Sequence, residues 1–461
     1  KEYNRRMESK LGDVFDIEYK KLNKAQKEAV DTIDGPVMVV AGPGTGKTQI
    51  LALRIANILK STDAKPEEIL ALTFTNSGVI SMRDRLQKMI GDTAYRINIF
   101  TFHSFCEHII KDFPFYFKKF LGGRVLNDLE RVQILESILK KNDFSELSTF
   151  NDEFYFLKDI VRAINNIKKE GLTPAQFKEL IPSWRNDLLV DENVYYKRDY
   201  GDYKKGDIKP AEKEKIEHKI EKVNELTTIF ELYQAELDTL GRYDFSDMIL
   251  SVLAELEENA DLKADLSEKF QYFLVDEHQD TNHGQNRLLE LLTDAPHLEG
   301  KANIFAVGDE KQSIYRFQGA SRETFKHFEN LYKGVKNITL LENYRSTQNI
   351  LDVSTMLIKH NADLGDTPNL HANNSKNDKV VVREFSNYKF ELLFLAEDIK
   401  NKIREKIRTK IESTPPNSFR LMLFILEGEA VLLFIVRIFY LSSMCRIELY
   451  SAKIIKTVIP I

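Results

Sequence analysis

A glycine-rich loop that ends in lysine and threonine carries the clearest chemical signal in this sequence. The loop consists of Ala41, Gly42, Pro43, Gly44, Thr45, Gly46, Lys47 and Thr48. An apolar run at 36–40 precedes it, and a segment with helical apolar spacing at 49–59 follows it. Glycines let backbone N–H groups surround phosphate oxygens, and a helix N-terminus adds positive potential. The pattern predicts a phosphate-binding loop, although its strict form begins with Gly where this chain has Ala41.

An acidic pair after a second apolar run supplies the other half of such a site. Asp276 and Glu277 directly follow the run at 270–275. In a nucleotide-hydrolysing site Lys47 would reach the β- and γ-phosphates, while Thr48 and Asp276 would hold Mg²⁺. Glu277 would orient and deprotonate the attacking water. An Asp-Glu pair is weak evidence alone, but together with the loop it predicts hydrolysis of a nucleoside triphosphate.

The elements that position these residues alternate between strands and helices. Apolar runs predict strands at 36–40, 69–76, 96–102, 270–275, 303–307, 337–341 and 379–385. The alternation predicts an α/β fold with a parallel sheet and helices on both faces. From about 110 to 240 the strand pattern disappears, and amphipathic spacing predicts helices at 128–141 and 154–170. A further helix is predicted at 390–410.

Length and composition limit the number of domains and the kinds of partner that this chain can have. The chain has 461 residues, 43% of them hydrophobic, with a formal charge of −5 and two cysteines. The length allows two to four domains of roughly 100–200 residues. The charge excludes a uniformly basic coat but not a local basic groove. Residues 191–225 interleave tyrosines with charges, so they form either a nucleic-acid contact or a solvated loop, and composition favours the loop.

The two ends of the chain differ from the rest. The N-terminus has neither Met nor an apolar signal core, which suggests a fragment. After Pro415-Pro416 the composition changes, and 421–444 is largely apolar apart from three charges. A membrane helix needs about 20 predominantly apolar residues, so these charges argue against one. We expect that 413–461 is not native to the fold, for example through a shifted reading frame. A core segment is the alternative.

Eight ordered motifs resemble those of superfamily 1A DNA helicases, the UvrD/Rep/PcrA group. The first four segments are 22–26 (Q motif), 41–48 (motif I), 73–76 (motif Ia) and 101–104 (motif Ib). The next four are 243–247 (a short motif before motif II), 275–282 (motif II), 308–320 (motif III) and 343–346 (motif IV). Ala41 is the usual residue of this family at the head of motif I.

The resemblance implies a RecA-like P-loop NTPase lobe with a parallel sheet, a helical 1B insertion and an incomplete second RecA-like lobe. We expect lobe 1A at 1–110 and 241–325, and the 1B insertion at 111–240. Lobe 2A would begin at 326–412, and 413–461 would be the atypical tail. Motifs V and VI and the 2B insertion are not found in these residues.

The resemblance also implies ATP and Mg²⁺ as cofactors and assigns roles at the nucleotide. Gln26 would read the adenine edge, and Tyr344 would stack on the adenine. Gln312 would sense the γ-phosphate, and Arg345 would act as an arginine finger. The implied ATP-binding set also contains the whole loop from Ala41 to Thr48 and Gln49, where many relatives carry an arginine.

Single-stranded and partially duplex DNA are the implied partners, and neither a membrane nor a particular repair protein is implied. Phe74, Tyr315 and Phe317 would stack on successive bases, which is a sequence-tolerant grip. Thr101 and His103 would touch the DNA backbone. Motif Ia adds Thr75 and Asn76 to the DNA-binding set. It carries Ser77-Gly78 where Lys-Ala is common, and Phe317 stands where Trp is frequent.

The implied function is ATP-driven translocation along single-stranded DNA, typically 3′ to 5′, coupled to unwinding in the cytoplasm during repair or replication. Because half of the interlobe site is not found, we expect these 461 residues to be at best a weak ATPase. One alternative is an ATP-dependent single-stranded DNA-binding protein without unwinding, or an inactive fragment. Another alternative is the N-terminal part of a helicase–nuclease.

Overall fold

The computed structural model describes residues 14–149, 152–294, 302–312, 324–359, 369–374, 379–381 and 383–412, with only the backbone over 406–412. It also describes the backbone of three strands at 423–424, 434–441 and 444–449. The chain divides into two compact units, 1–380 and 381–461. Among the described residues, no helix has the length and apolar character needed to cross a membrane.

The centre of the first unit is a six-stranded parallel sheet. Its strands are β1 Val37–Ala41, β2 Ile69–Thr73, β3 Asn98–Thr101, β4 Tyr272–Val275, β5 Ile304–Gly308 and β6 Lys336–Leu340. They lie in the order β3-β2-β4-β5-β1-β6. In register, Val39 of β1 lies opposite Val307 of β5 and Ile338 of β6. The predicted α/β fold with a parallel sheet is confirmed.

Helices cover both faces of this sheet and form the insertion. In chain order they are α1 Lys24–Asp31, α2 Lys47–Ser61, α3 Asn76–Ile90, α4 Phe102–Asp112, α5 Asp128–Lys141, α6 Leu157–Lys169, α7 Pro174–Val190, α8 Pro210–Leu240, α9 Phe245–Glu258, α10 Ala260–Lys269, α11 His283–Thr293, α12 Thr324–Leu331 and α13 Gln348–Ile358. Residues 14–20 are also helical. Two short parallel strand pairs join Arg124–Val125 to Arg242–Tyr243 and Glu342–Asn343 to His371–Ala372.

Both faces of the sheet are buried along its four inner strands β1, β2, β4 and β5, which explains why these strands read as nearly continuous apolar runs. Met38 and Leu70 pack in one core with helices α4, α9, α10 and α11. Their neighbours Val39 and Ala71 pack in the opposite core with α1, α2 and α3. The alternation follows from the two-residue period of a strand. Helices α5, α6 and α8 of the insertion share a separate core.

For two of the predicted strands the structure differs from the expectation: one belongs to another part of the fold, and the other is not a strand. The strand predicted at 337–341 is β6, and it hydrogen-bonds to β1, whereas the expected boundary at residue 325 assigned it to the second lobe. This pairing adds β6 to the edge of the six-stranded sheet, and the lobe boundary at residue 325 remains a prediction. The strand predicted at 379–385 is wrong, since the described residues of this range are irregular. Its β-branched residues have no partner strand among the described residues, and a strand is stable only when paired.

The second unit contains one long helix, α14 Tyr388–Glu412, close to the predicted 390–410. Two of its strands, Phe434–Leu441 and Met444–Leu449, form an antiparallel pair. Most of 413–461, the expected atypical tail, lies outside the described residues.

Candidate active site and nucleic-acid groove

The glycine-rich loop connects the end of β1 to the start of α2, as the sequence predicts. Gly44 and Gly46 have φ values of 71° and 91°, which side-chain-bearing residues rarely adopt. Gly46 caps the N-terminus of α2, so the first free N–H groups of that helix face the loop. Thr45 is fully buried, and its Oγ1 donates to the carbonyl of Gly42 over 2.8 Å. The loop is thus held in a phosphate-binding shape by its own contacts.

Gln26 holds this loop from the outside. Its Nε2 donates to the carbonyl of Thr45 over 2.9 Å, and its Oε1 accepts the N–H of Asn23 over 3.0 Å. The side chain is 4% exposed. Gln26 therefore lies next to the loop, as the Q motif predicts. Reading of the adenine edge remains a prediction for this residue.

Lys47 and Glu277 form the central ion pair of the site. Nζ of Lys47 lies 2.7 Å from Oε2 of Glu277, although the two residues are 230 positions apart in the chain. Glu277 has a φ of 50° and is the only residue other than glycine with positive φ in the described part of the chain. Such strain is maintained only where the surrounding structure imposes it, and it is common at active sites. The structure thus brings together the predicted phosphate-binding lysine and the predicted base.

Asp276 provides the test of whether Mg²⁺ fits here. Burial and the adjacent negative charge of Glu277 raise the pKa of Asp276 to about 7, although Lys47 and Arg85 act in the opposite direction. A divalent cation would offset both the burial and the repulsion. The Asp276 carboxylate and the Thr48 hydroxyl are hard oxygen donors of the kind that Mg²⁺ prefers. The donor set therefore fits the ion.

A chain of polar contacts leads from this pair to motif III. Nε2 of Gln279 donates to Oε2 of Glu277 over 2.7 Å, and Oε1 of Gln279 accepts the N–H of Asp309 over 3.0 Å. Oδ2 of Asp309 accepts from Nε2 of Gln312 over 2.6 Å. A Cβ atom on Gly308 would lie 2.5 Å from Oε1 of Gln279, so this relay needs glycine there. Gln279 and Asp309 lie in motifs II and III but are not among the predicted site residues.

Motif IV lies directly against the glycine-rich loop. Asn343 is fully buried, its Nδ2 donates to the carbonyl of Pro43, and its Oδ1 accepts the N–H of Arg345 over 2.9 Å. The N–H of Tyr344 donates to the carbonyl of Gly44 over 2.9 Å. The predicted adenine partner Tyr344 is therefore fixed to the loop by its backbone, and the predicted finger Arg345 is held beside the loop through the Asn343 side chain. Asn343 has no role among the predicted site residues, yet it holds this segment in place.

Three further hydrogen bonds lie where the adenine of ATP is expected to bind. The Tyr344 hydroxyl accepts from Nδ2 of Asn23 over 3.1 Å, so motif IV and the Q motif meet. Gln49 has both ends of its amide engaged: it donates to Glu18 over 3.1 Å and accepts from Arg85 over 2.8 Å. Contact of Gln49 with ATP therefore remains a prediction. It would compete with these bonds.

A groove of about 600 Å³ lies at the carboxyl ends of β2 and β3. All the predicted DNA-contacting residues of motifs Ia and Ib line it, namely Phe74, Thr75, Asn76, Thr101 and His103. Lys169 and Arg131 contribute positive charge to its wall. Phe245 also lines the groove, is 57% exposed, and meets the His103 ring edge-on at 6.1 Å. Its exposed ring is a groove residue that sequence reasoning missed, although it lies in the quoted motif at 243–247.

His103 is neutral in this groove near pH 7. Burial lowers the pKa of His103 below its usual value, and the charge of Lys169 lowers it further. A neutral imidazole can accept or donate one hydrogen bond, which suits a contact with a sugar or a phosphate. The other two predicted stacking residues, Tyr315 and Phe317, lie outside the described residues.

The wall of the groove is held by a buried ion cluster. Nζ of Lys168 lies 2.8 Å from Asp244 and 2.7 Å from Asp247, and all three side chains are at most 4% exposed. Lys168 belongs to α6 of the insertion, whereas the two aspartates flank the start of α9. The cluster therefore fixes the insertion to the sheet-containing lobe beside the groove.

The sheet order, the glycine-rich loop and the acidic pair at the end of β4 define a P-loop protein with a RecA-like core. Residues 22–333 match the family model of the UvrD/REP helicase N-terminal domain, and residues 338–413 match that of the UvrD-like helicase C-terminal domain. The chain belongs to the UvrD/REP helicase family, which confirms the resemblance drawn from the motifs.

Individual relatives agree with this assignment. The chain is 31% identical over 380 residues to the ATP-dependent DNA helicase PcrA of Staphylococcus epidermidis, covering 82% of this chain and 45% of that protein. It is 32% identical over 342 residues to PcrA of Staphylococcus aureus, covering 74% of this chain and 40% of that protein. The chain thus spans less than half the length of the relatives it matches.

Proposed function

We propose that this chain is the ATP-hydrolysing motor part of a DNA helicase that moves along single-stranded DNA, with 3′ to 5′ polarity. The observation that carries the proposal is the common position of two sites on one sheet. The Lys47–Glu277 pair lies at the carboxyl ends of β1 and β4, and the groove lies at the carboxyl ends of β2 and β3. In open parallel sheets, ligands bind at this edge.

Each residue of the first site has a definite task in ATP hydrolysis. The loop N–H groups and Lys47 bind the phosphates of ATP, and Lys47 thereby exchanges its bond to Glu277 for bonds to phosphate. Glu277, released from Lys47 but still hydrogen-bonded to Gln279, orients the attacking water and accepts its proton. Arg345 stabilises charge on the transferring phosphoryl group. Thr48 and Asp276 would hold Mg²⁺, which neutralises phosphate charge when bound.

The relay through motif III is the proposed link to DNA. Glu277 is joined to Gln312 through Gln279 and Asp309. When ATP removes Lys47 from Glu277, the hydrogen bonds of this chain must rearrange. Gln312 immediately precedes the rest of motif III, which carries the stacking residues that the family resemblance implies. A change at the γ-phosphate would reach the DNA-binding side through these contacts.

The experiment measures whether the two sites are coupled. Affinity of the purified chain for an oligo-dT strand is measured with and without a non-hydrolysable ATP analogue, alongside ATP hydrolysis with and without the strand. We expect nucleotide to change the affinity for DNA and DNA to change the affinity for nucleotide by the same factor, since coupling between sites is reciprocal in binding. We also expect a higher ATP turnover with DNA, because the contacts of motif III link the two sites. A partially duplex substrate then tests unwinding and polarity.

Two variants separate the steps. Glu277→Gln should bind the ATP analogue but lose about 10²- to 10⁴-fold in turnover, because it removes the proton acceptor. Phe74→Ala should keep the basal turnover and lose the stimulation by DNA. Independent binding of nucleotide and DNA in the wild-type chain, with turnover unaffected by DNA, would contradict the proposal.

Single-stranded and partially duplex DNA in the cytoplasm are the proposed partners. Cys106, which is buried with a free thiol, is consistent with a reducing compartment. We also propose the two-lobe organisation of the family for this chain, with the second lobe beginning after β6.

A further inference from the structure

Residues 195–208, between α7 and α8, fold back on themselves as an antiparallel hairpin, which we call the tyrosine hairpin. Bridges pair Tyr195 with Ile208 and Tyr200 with Tyr203. The N–H of Tyr200 donates to the carbonyl of Tyr203 over 2.9 Å, and the reverse bond measures 3.1 Å. The composition of this segment is compatible with a solvated loop, but its backbone bonds give it a defined shape.

The base of the hairpin is fixed to the insertion. Val194 is 5% exposed and packs with Ile181, Ile216 and Ile220 in a small core between α7 and α8. The Tyr195 hydroxyl donates to the carbonyl of Leu189 over 2.8 Å. The hairpin is therefore a projection with an anchored base, so its exposed side chains are presented in a reproducible arrangement.

Three tyrosine rings of the hairpin are nearly parallel. The Tyr196 ring lies 5.0 Å from that of Tyr203, with an interplanar angle of 17°. It lies 6.0 Å from that of Tyr200, with an angle of 12°. Tyr200 is 68% exposed and Tyr203 is 40% exposed. Exposed aromatic faces in such a stack are surfaces on which an unpaired base can stack.

The same hairpin carries four cations, and within the described residues no ion pair neutralises their charges. They are Lys197, Arg198, Lys204 and Lys205. All four are exposed, and within the described residues none lies in an ion pair. The carboxylates of Asp199 and Asp207 accept the N–H groups of Lys205 and Lys204, over 2.8 and 2.7 Å. These acids thus hold the backbone of the hairpin, while the cations remain available for phosphates.

We propose that the tyrosine hairpin is a second binding site for single-stranded DNA, separate from the groove lined by Phe74. Bases stack on Tyr200 and Tyr203, and the four cations contact the phosphates between and beside them. The inference rests on the proposed function for the identity of its ligand. Unpaired rather than duplex DNA is the ligand because the faces of paired bases are covered by their neighbours in a duplex.

The test compares affinities for a fluorescently labelled oligo-dT strand of about 15 nucleotides, measured by anisotropy. Tyr200→Ala with Tyr203→Ala should weaken binding by about tenfold or more, since each stacked base contributes about 1–3 kcal/mol. The same positions changed to Phe should restore it, because stacking needs the ring and not the hydroxyl. Tyr155→Ala is the matched control: it removes a ring of the same insertion that is 65% exposed.

The charge contribution has its own readout. Changing all four cations to Ala should reduce the slope of log affinity against log salt by up to about 3, since each phosphate contact on a single strand contributes about 0.7. Tyr200→Ala with Tyr203→Ala should leave this slope nearly unchanged. Circular dichroism of each variant verifies that the helical insertion remains folded.

The outcomes separate this inference from the proposed function. If the hairpin variants bind as the wild type does while Phe74→Ala weakens binding, the hairpin proposal is overturned and the proposed function stands. If the wild-type chain does not bind the strand at all, both fail. Equal weakening for blunt duplex DNA would also overturn the hairpin proposal, because stacking on tyrosine requires unpaired bases.

Discussion

Replacing Lys168 with methionine tests the energetic role of the buried ion cluster that joins the insertion to the lobe. Lys168→Met keeps an unbranched apolar side chain, one atom shorter, and removes the ammonium group. Nζ of Lys168 lies within 2.8 Å of both Asp244 and Asp247, and its side chain is fully buried. The substitution therefore leaves two neighbouring buried carboxylates without their paired ammonium, and only the charge of Arg131 still acts on Asp244.

The expected loss in the free energy of unfolding follows from this burial. Breaking a buried ion pair by removing one partner costs about 3–5 kcal/mol, because the remaining charge is left uncompensated. Backbone N–H groups still satisfy one oxygen of each aspartate, over 3.0 and 2.9 Å, so we expect the value to stay within that range. The ammonium also lies 5.2 Å from the ring of Tyr233, and this attraction is lost as well.

The assay is urea unfolding followed by circular dichroism. Lys178→Met is the matched control, since Lys178 pairs with Glu231 at the surface over 3.4 Å, with side chains 66% and 41% exposed. That variant should lose no more than about 1 kcal/mol. The reasoning is refuted if the free energy of unfolding of Lys168→Met falls no further than that of the control.

The pH dependence provides a second readout of the same substitution. Burial already raises the pKa of Asp247 in the wild type, and loss of the ammonium raises it further. A carboxyl group whose pKa is higher in the folded state stabilises that state below its unfolded pKa, and this contribution is lost as the pH rises through the folded pKa. The deficit of Lys168→Met should therefore be larger at neutral pH than in mild acid.

Three further predictions concern the two sites. Gly308→Ala should lower steady-state ATP turnover and cost about 1–3 kcal/mol of stability, because the new methyl group would lie 2.5 Å from Oε1 of Gln279 and displace the relay. Unchanged turnover would show that the relay is dispensable. Asn343→Leu should weaken binding of a fluorescent ATP analogue, because the side-chain bond to Pro43 of the loop and the bond that orients Arg345 would both be lost, and an unaltered Kd would contradict this. Lys169→Ala should raise the pKa of His103, as seen by NMR titration, because burial and that lysine together hold it low. An unchanged pKa of His103 in Lys169→Ala would contradict the role given to that lysine. Because the pKa of His103 is lowered in the folded state, its contribution to stability is present above the unfolded pKa and is lost as the pH falls through the folded pKa.

The sequence predicted those features that depend on neighbouring residues. The phosphate loop is recognisable because its glycines, lysine and threonine must be contiguous, and the acidic pair because it must follow a strand. The inner strands of the sheet are recognisable because both of their faces are buried, so each reads as an apolar run between polar residues. Helix α5 begins and ends where its amphipathic pattern does, at Asp128 and Lys141.

Features that depend on residues distant in the chain could not be predicted in this way. Lys168 and Lys169 both read as solvent-facing charges at the end of a helix, yet only Lys168 is buried, since its partners lie 76 and 79 positions further on. Asn343 reads as one polar residue of motif IV, and its bond to Pro43 spans 300 positions. Pairing with a distant strand also determines whether an apolar run forms a strand. The run at 337–341 pairs with β1, whereas the run at 379–385 has no partner strand among the described residues.

The rigid sheet limits how ATP can act on DNA within this lobe. The N–H of Asp276 donates to the carbonyl of Leu72 over 2.8 Å, so the strand end that carries the proposed Mg²⁺ ligand is bonded to the strand that leads to Phe74. Sliding of one strand against the other would break the ladder of parallel bonds between β2 and β4. Side chains can exchange partners at much lower cost. We therefore infer that nucleotide acts through the exchange of Lys47 from Glu277 to phosphate and the resulting change in the Gln279, Asp309 and Gln312 contacts, and not through deformation of the sheet.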